Sequence, residues 1–91
     1  MTYSQFIREA IQISGMSLTQ IAQKLREQGI SADKSYISKL QNSSLPPAND
    51  RFNDALAAVL DISSTKLKAA AYQEKIPSDV LDELLEELSK K

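Results

Sequence analysis

The 91-residue chain contains no cysteine and no histidine. Without cysteine it cannot form a disulfide or a thiolate metal site. Without histidine it lacks the most frequent general base and the most frequent metal ligand. It also has no glycine-rich phosphate-binding loop. We therefore expect a protein that is not an enzyme and that has no metal, no cofactor and no small-molecule substrate.

Long apolar segments are missing as well. No run approaches the roughly 20 residues that a membrane-spanning helix needs. The first ten residues, MTYSQFIREA, include Glu9 and lack the apolar segment of a signal peptide. We therefore expect a cytoplasmic protein that does not enter a membrane.

Charge is distributed unevenly along the chain. The net charge of −1 argues only weakly against a nucleic-acid partner, because the distribution matters more than the total. Residues 1–47 carry five basic and three acidic side chains, a net of +2, and residues 48–75 carry four of each. Residues 76–91 carry two basic and five acidic side chains, a net of −3. The mild basicity lies in the first half and the acidity at the end.

Apolar side chains recur at helical spacing throughout, which predicts an all-α protein. Two capping boxes, Thr2 with Gln5 and Ser17 with Gln20, predict the starts of the first two helices. We expect these helices to end near the two glycines, which adopt the left-handed conformation without strain. The later starts are predicted from N-cap residues: Asp33 for the third helix, Asn49 for the fourth, Ser63 or Ser64 for the fifth and Ser78 for the sixth.

Five of these helices have a predicted inward face. The spacing assigns the following residues to the core: Tyr3, Phe6, Ile7, Ala10 and Ile11; Leu18, Ile21, Ala22 and Leu25; Ile37 and Leu40; Phe52, Ala55, Leu56, Val59 and Leu60; Leu67, Ala70 and Ala71. The sixth helix, over residues 79–91, has leucines on one side and acidic residues on the other.

Several of these segments together resemble the phage-repressor-like helix-turn-helix family, the Cro/C1 or XRE type. The matching segments are SLTQIAQKL (17–25), SYISKLQN (35–42), Pro47 and FNDALAAVLDIS (52–63). The resemblance covers about residues 3–72. The chain departs from the family in two places: Arg26 stands where a glycine usually ends the second helix, which lengthens the turn before the third, and Ser43 replaces a glycine after the third helix.

The resemblance implies a fold and a partner. The fold is a compact five-helix lambda-repressor-like DNA-binding domain over residues 1–76, followed by a C-terminal amphipathic helix over residues 77–91. The partner is double-stranded DNA, with the third helix in the major groove. The chain would then be a sequence-specific transcriptional regulator, a bacterial or phage repressor that binds as a homodimer.

The resemblance also implies which residues contact DNA. The base-reading positions of the family correspond to Lys34, Ser35, Ser38 and Lys39. The phosphate-binding candidates are Ser17, Thr19, Gln20, Lys24, Gln41, Asn42, Ser43, Ser44 and Arg51. Because five helices usually close the core in this family, the apolar face of the sixth helix is a candidate dimer or partner interface, made of Val80, Leu81, Leu84, Leu85 and Leu88.

Simpler interpretations remain for each feature. Lys34 and Lys39 could belong to an ordinary solvated helix, and residues 43–47 could be a plain connector. Tyr36 is expected to pack at the edge of the core, while Arg26 and Glu27 are expected to be solvated. The leucines of the sixth helix could pack on the first and fifth helices. A second functional hypothesis is a protein-interaction module, an antitoxin, antirepressor or co-repressor subunit that binds a protein partner through residues 78–91.

Overall fold

The computed structural model describes residues 1–89, and within that range the chain forms six α-helices and no β-strand. The helices are α1 (Tyr3–Ser14), α2 (Leu18–Glu27), α3 (Lys34–Gln41), α4 (Asp50–Leu60), α5 (Ser64–Lys75) and α6 (Ser78–Ser89). The all-α class that the apolar spacing predicted is confirmed.

Most of the predicted caps are in place. The hydroxyl of Thr2 accepts a hydrogen bond from Gln5 N at 3.2 Å, and Thr2 N donates to the Gln5 side chain at 3.0 Å. Ser17 and Gln20 form the same reciprocal pair at the start of α2. Three further side chains cap α3, α4 and α5, and each accepts from the N–H three residues ahead: Asp33, Asn49 and Ser63.

The predicted cap of α6 is wrong by one position. α6 begins at Ser78 itself, and its first backbone bond runs from Leu81 N to Pro77 O at 2.9 Å. Pro77 occupies the position before the helix because it has no N–H to satisfy, while its carbonyl still accepts the first bond. The predicted end of this helix at Lys90 and Lys91 lies outside the described residues.

Helices α1 to α5 enclose one core. α1 contacts α3, α4 and α5, whereas α2 contacts α3 and α4. Each of the five helices contributes at least one large, fully buried side chain, including Ile7, Ile21, Leu25, Ile37, Leu40, Leu56 and Leu67. The predicted inward faces are confirmed, and three of their members lie half-buried at the edge of the core: Phe6, Leu18 and Val59.

A buried polar side chain ties three of these helices to the segment that follows α3. Asn53 of α4 is completely buried. Its Oδ1 accepts from the Tyr3 hydroxyl at 2.5 Å, and its Nδ2 donates to Ala48 O at 3.0 Å. Lys75 Nζ of α5 donates to the same carbonyl at 3.0 Å. Burial raises the pKa of Tyr3.

α6 lies outside this core, since none of its residues is buried. Within the described range, no helix combines the length and the apolar character that crossing a membrane requires.

Replacing Asn53 by alanine should lower the free energy of unfolding by about 1–3 kcal/mol. The Tyr3 hydroxyl would lose its buried acceptor, and Ala48 O would lose one of its two donors. Urea denaturation monitored by circular dichroism measures the loss. Gln23→Ala on the exposed side of α2 is the control, with an expected change within about 0.5 kcal/mol. Equal losses in both variants would contradict the role given to Asn53.

Candidate nucleic-acid interface

α3 has one apolar side and one polar side. Ile37 and Leu40 are completely buried against the neighbouring helices. Lys34, Ser35 and Lys39 are exposed on the other side, while Ser38 is half-buried between the two. The structure therefore leaves three of the four candidate base-reading residues exposed. They share one surface because the apolar residues fix how the helix is rotated about its axis.

The amino end of α3 is held by its cap and by an aromatic contact. Asp33 Oδ1 accepts from Tyr36 N at 2.8 Å. The Tyr36 ring meets Phe52 of α4 edge to face, with 5.3 Å between the centroids and 90° between the planes. Burial raises the pKa of Tyr36. The expectation that Tyr36 packs at the edge of the core is confirmed.

The carboxyl end of α3 is held by two side chains of α1 that the sequence patterns did not single out. The Ser4 hydroxyl donates to Leu40 O at 2.7 Å, and Arg8 Nη2 donates to Gln41 O at 2.7 Å. Both carbonyls belong to the last turn of a helix, where no intrahelical N–H is available to them. A possible signal was the i, i+4 spacing of Ser4 and Arg8 directly beside the apolar face of α1.

Ser43 takes the place that a glycine would fill after α3. Its φ of 59° lies in the left-handed region, which costs a non-glycine residue roughly 1 kcal/mol. Ser44 N donates to Lys39 O at 2.9 Å. This bond is expected where a left-handed residue follows the end of a helix. The Ser43 hydroxyl donates to the Ser4 hydroxyl at 2.8 Å, a contact that a glycine could not make.

The phosphate candidates of α2 do not all lie together. Thr19 lines a depression of about 260 Å³ between α2 and α3, together with Lys34. Ser17 and Gln20 are exposed but bind each other in the capping box. Lys24 follows Thr19 by five residues, so it points about 140° away from it around the helix axis. The structure thus brings Thr19 to the α3 face and leaves Lys24 on the far side of α2.

The candidates after α3 divide in the same way. Gln41 is half-buried with its carbonyl bound by Arg8, and the Ser43 hydroxyl is occupied by Ser4. Asn42 and Ser44 are exposed beside them. Arg51, at the start of α4, is exposed and reaches back over the turn before α3, where its Nη2 lies 3.5 Å from Gly29 O.

The exposed cations around α3 are not neutralised. Within residues 1–89, no carboxylate lies within ion-pair distance of Lys34, Lys39 or Arg51. An ion pair does join Lys68 to Asp54 at 2.9 Å, but it links α5 to α4. The hydrogen bond with Asp54 raises the pKa of Lys68. The cations beside α3 are therefore available to a negatively charged partner.

A second candidate surface is the apolar face of α6. Val80, Leu84, Leu85 and Leu88 are 47%, 48%, 56% and 64% exposed, and Leu81 is half-buried. No residue of α6 is buried, which argues against the alternative in which these leucines pack on α1 and α5. Four large apolar side chains on one exposed helix face are typical of a surface that another molecule covers.

Replacing Arg8 by alanine should loosen the end of α3 without unfolding the core. We expect a loss of about 0.5–1.5 kcal/mol of stability, the usual contribution of one hydrogen bond. The Asn42 amide, which donates to Ser38 O at 3.1 Å, should exchange its hydrogen faster than in the unchanged protein. Hydrogen exchange followed by NMR measures this effect. Lys24→Ala removes a cation that has no such bond, and it should leave the Asn42 amide unchanged; faster exchange in both variants would argue against the Arg8 contact.

Comparison of the chain with protein-family models, with curated proteins and with solved structures found no match. Any function assigned to the chain therefore has to rest on its own residues. Two surfaces qualify: the polar face of α3 with its flanking cations, and the apolar face of α6.

Proposed function

We propose that the chain is a sequence-specific DNA-binding transcriptional regulator, a repressor of the Cro/C1 helix-turn-helix type, that binds double-stranded DNA as a homodimer in the cytoplasm. In this proposal α2 and α3 are the helix-turn-helix pair within a five-helix domain, and α3 enters the major groove. The observation that carries it is the construction of α3. Its buried side fixes its orientation, both of its ends are tied to other helices, and its free side presents Lys34, Ser35 and Lys39.

The chemistry of this face suits the edges of base pairs. A lysine ammonium donates to guanine O6 and N7, and a serine hydroxyl donates or accepts at several bases. Neither side chain makes the two parallel bonds by which arginine or glutamine fixes one base. We therefore expect modest discrimination by a single protomer. The half-buried Ser38 is the weakest of the four base-reading candidates, because its hydroxyl has less freedom to reach a base.

Two protomers on one DNA site would compensate for this modest discrimination. A protein that neutralises few phosphates binds weakly and in a strongly salt-dependent manner. When two domains are joined, the second binds at a high effective concentration, and the pair reads a two-fold symmetric site. The exposed leucines of α6 are a surface by which two protomers could join.

Replacing Lys39 by alanine should weaken binding to the preferred DNA sequence by about 1–3 kcal/mol if this residue contacts a base. The preferred sequence is first obtained by selection from random double-stranded DNA. Affinities are then measured by gel shift at fixed salt for the selected sequence and for a scrambled one.

The matched control is Lys66→Ala, which removes an exposed cation from the first turn of α5. Lys66→Ala should change both affinities little, while Lys39→Ala should reduce the ratio between them. If the folded, unchanged protein selects no sequence and binds no DNA even at low salt, the proposal fails.

A second candidate function is favoured by α6 alone. The chain would be a protein-interaction module, an antitoxin, antirepressor or co-repressor subunit, and α6 would lay its leucines into a groove of a different protein. The exposure of Val80, Leu84, Leu85 and Leu88 favours this candidate. DNA binding by α3 and partner binding by α6 are compatible in one regulator.

Removing residues 77–91 distinguishes the two roles of α6. No residue of α6 is buried, so the remaining five helices should keep their fold and their thermal stability. If α6 joins two protomers, the truncated protein should be a monomer by light scattering, and its DNA affinity should fall by at least tenfold through loss of the linked second domain. If the molecular mass and the DNA affinity both stay unchanged, dimerisation through α6 is ruled out, and the partner-binding role of α6 remains.

A further inference from the structure

A groove runs beside the long turn that connects α2 to α3. Two adjoining depressions of about 380 and 360 Å³ share Ser31 and Tyr36. Arg26, near the end of α2, and Asp33 line the first depression, and Arg51 of α4 lines the second. We call the surface formed by these five residues the turn groove.

The floor of the turn groove is fixed rather than loose. Gly29 has a φ of 80°, and two backbone bonds close α2 around it: Gly29 N to Arg26 O at 3.0 Å and Ile30 N to Leu25 O at 2.9 Å. This is the pattern by which a left-handed residue ends a helix. Ile30 and Ala32 then pack against the core, which leaves Ser31 between them at the surface.

The two guanidinium groups give the turn groove a positive charge. Arg51 Nη2 makes a long bond of 3.5 Å to Gly29 O, which keeps its side chain over the turn and leaves its other N–H groups available. Arg26 is exposed and, within residues 1–89, pairs with no carboxylate. The only acidic group of the turn groove is Asp33, whose carboxylate already accepts from Tyr36 N.

The turn groove is continuous with the face of α3. Arg26 and Asp33 also line the neighbouring depression that contains Lys34 and Thr19. A negatively charged strand lying against Lys34 could therefore continue past Arg26 to Arg51. Three cations and one carboxylate along this path leave a net charge of +2, so the path as a whole favours an anion.

We propose that the turn groove binds a phosphate group of the DNA backbone, held by Arg26 and Arg51, with the Ser31 and Tyr36 hydroxyls as further donors. The inference rests on the proposed function and extends it, because it makes the long turn a part of the DNA interface. Arginine suits this ligand because its planar N–H groups match two phosphate oxygens at once. The sequence patterns had left Arg26 as a solvated charge.

The salt dependence of DNA binding tests this inference. Each protein–phosphate contact contributes about 0.9 to the slope of log K against log salt concentration. Because both arginines hold one phosphate, Arg26→Gln and Arg51→Gln should each reduce the magnitude of the slope by part of this amount, and the double variant by about the whole of it. Arg51→Lys keeps the charge and should retain most of the slope. Lys66→Gln on α5 makes the same change in charge away from the turn groove and should leave the slope unaltered.

Thermal unfolding of each variant checks that the fold is intact, and Arg26→Gln removes no hydrogen bond found in the described residues. If DNA binding persists but neither arginine variant lowers the slope more than Lys66→Gln does, the turn groove is not a phosphate site, while the proposed function stands.

If the unchanged protein binds no DNA, the proposed function fails. Titration with inorganic phosphate then tests whether the turn groove is a phosphate site. Saturable NMR shifts are then expected at the Ser31 and Tyr36 amides, and they should disappear in the Arg26→Gln, Arg51→Gln double variant. That result would show that the turn groove binds the phosphate of a molecule other than DNA. The absence of such shifts would overturn the inference.

Discussion

The orientation of α3 depends on hydrogen bonds from α1 to two carbonyl groups. Without α1, Gln41 O would lose its bond from Arg8, and Leu40 O would keep only its backbone bonds, such as the long one from Ser43 N at 3.4 Å. The carboxyl end of this eight-residue helix would then fray. Ser4 and Arg8 bind the two carbonyls from the side, so the carboxyl end of α3 is attached to the helix that contacts three of the other four core helices. Ile37 and Leu40 fix the rotation of α3 about its own axis, whereas the contacts with α1 fix where its axis ends. The proposed function would require both constraints, because a helix free to pivot would present its polar side chains in many directions.

The loop after α3 is held by the same kind of polar contact. The carbonyl of Ala48 accepts bonds from Asn53 and Lys75, and Asn53 also accepts from Tyr3. α1 therefore contributes to both ends of the segment between α3 and α4, through Ser4 and Arg8 at one end and Tyr3 at the other. Buried polar groups of this kind restrict how helices can slide over one another, since each slip leaves a donor or acceptor unsatisfied. Apolar packing alone would tolerate more adjustment.

Local patterns in the sequence predicted the features that depend on neighbours in the chain. The capping boxes at Thr2 and Ser17, the caps at Asp33 and Asn49 and the inward faces of five helices all follow from spacings of three or four residues. The contacts that define the candidate interface could not be predicted in this way. Arg8 meets Gln41, 33 positions away, and Tyr3 meets Asn53, 50 positions away. Such pairs depend on which helices become neighbours, and no spacing rule expresses that. Arg26 and Arg51 look unrelated in the sequence for the same reason, yet they line adjoining depressions across the long turn.

The length of that turn bears on how the chain could bind DNA. Here six residues separate α2 from α3, and they are packed by Ile30 and Ala32 rather than extended into solvent. The turn therefore forms a packed surface beside the amino end of α3, and Arg26 of α2 and Arg51 of α4 flank it. Phosphate contacts position a protein on DNA, while base contacts select the sequence. If α3 reads DNA as proposed, its lysines and serines have little selectivity of their own, so the face gains most from neighbours that fix its register on the backbone. In the proposed homodimer the same limitation would make α6 important, because a second protomer would double the number of bases read without requiring any stronger contact from the first.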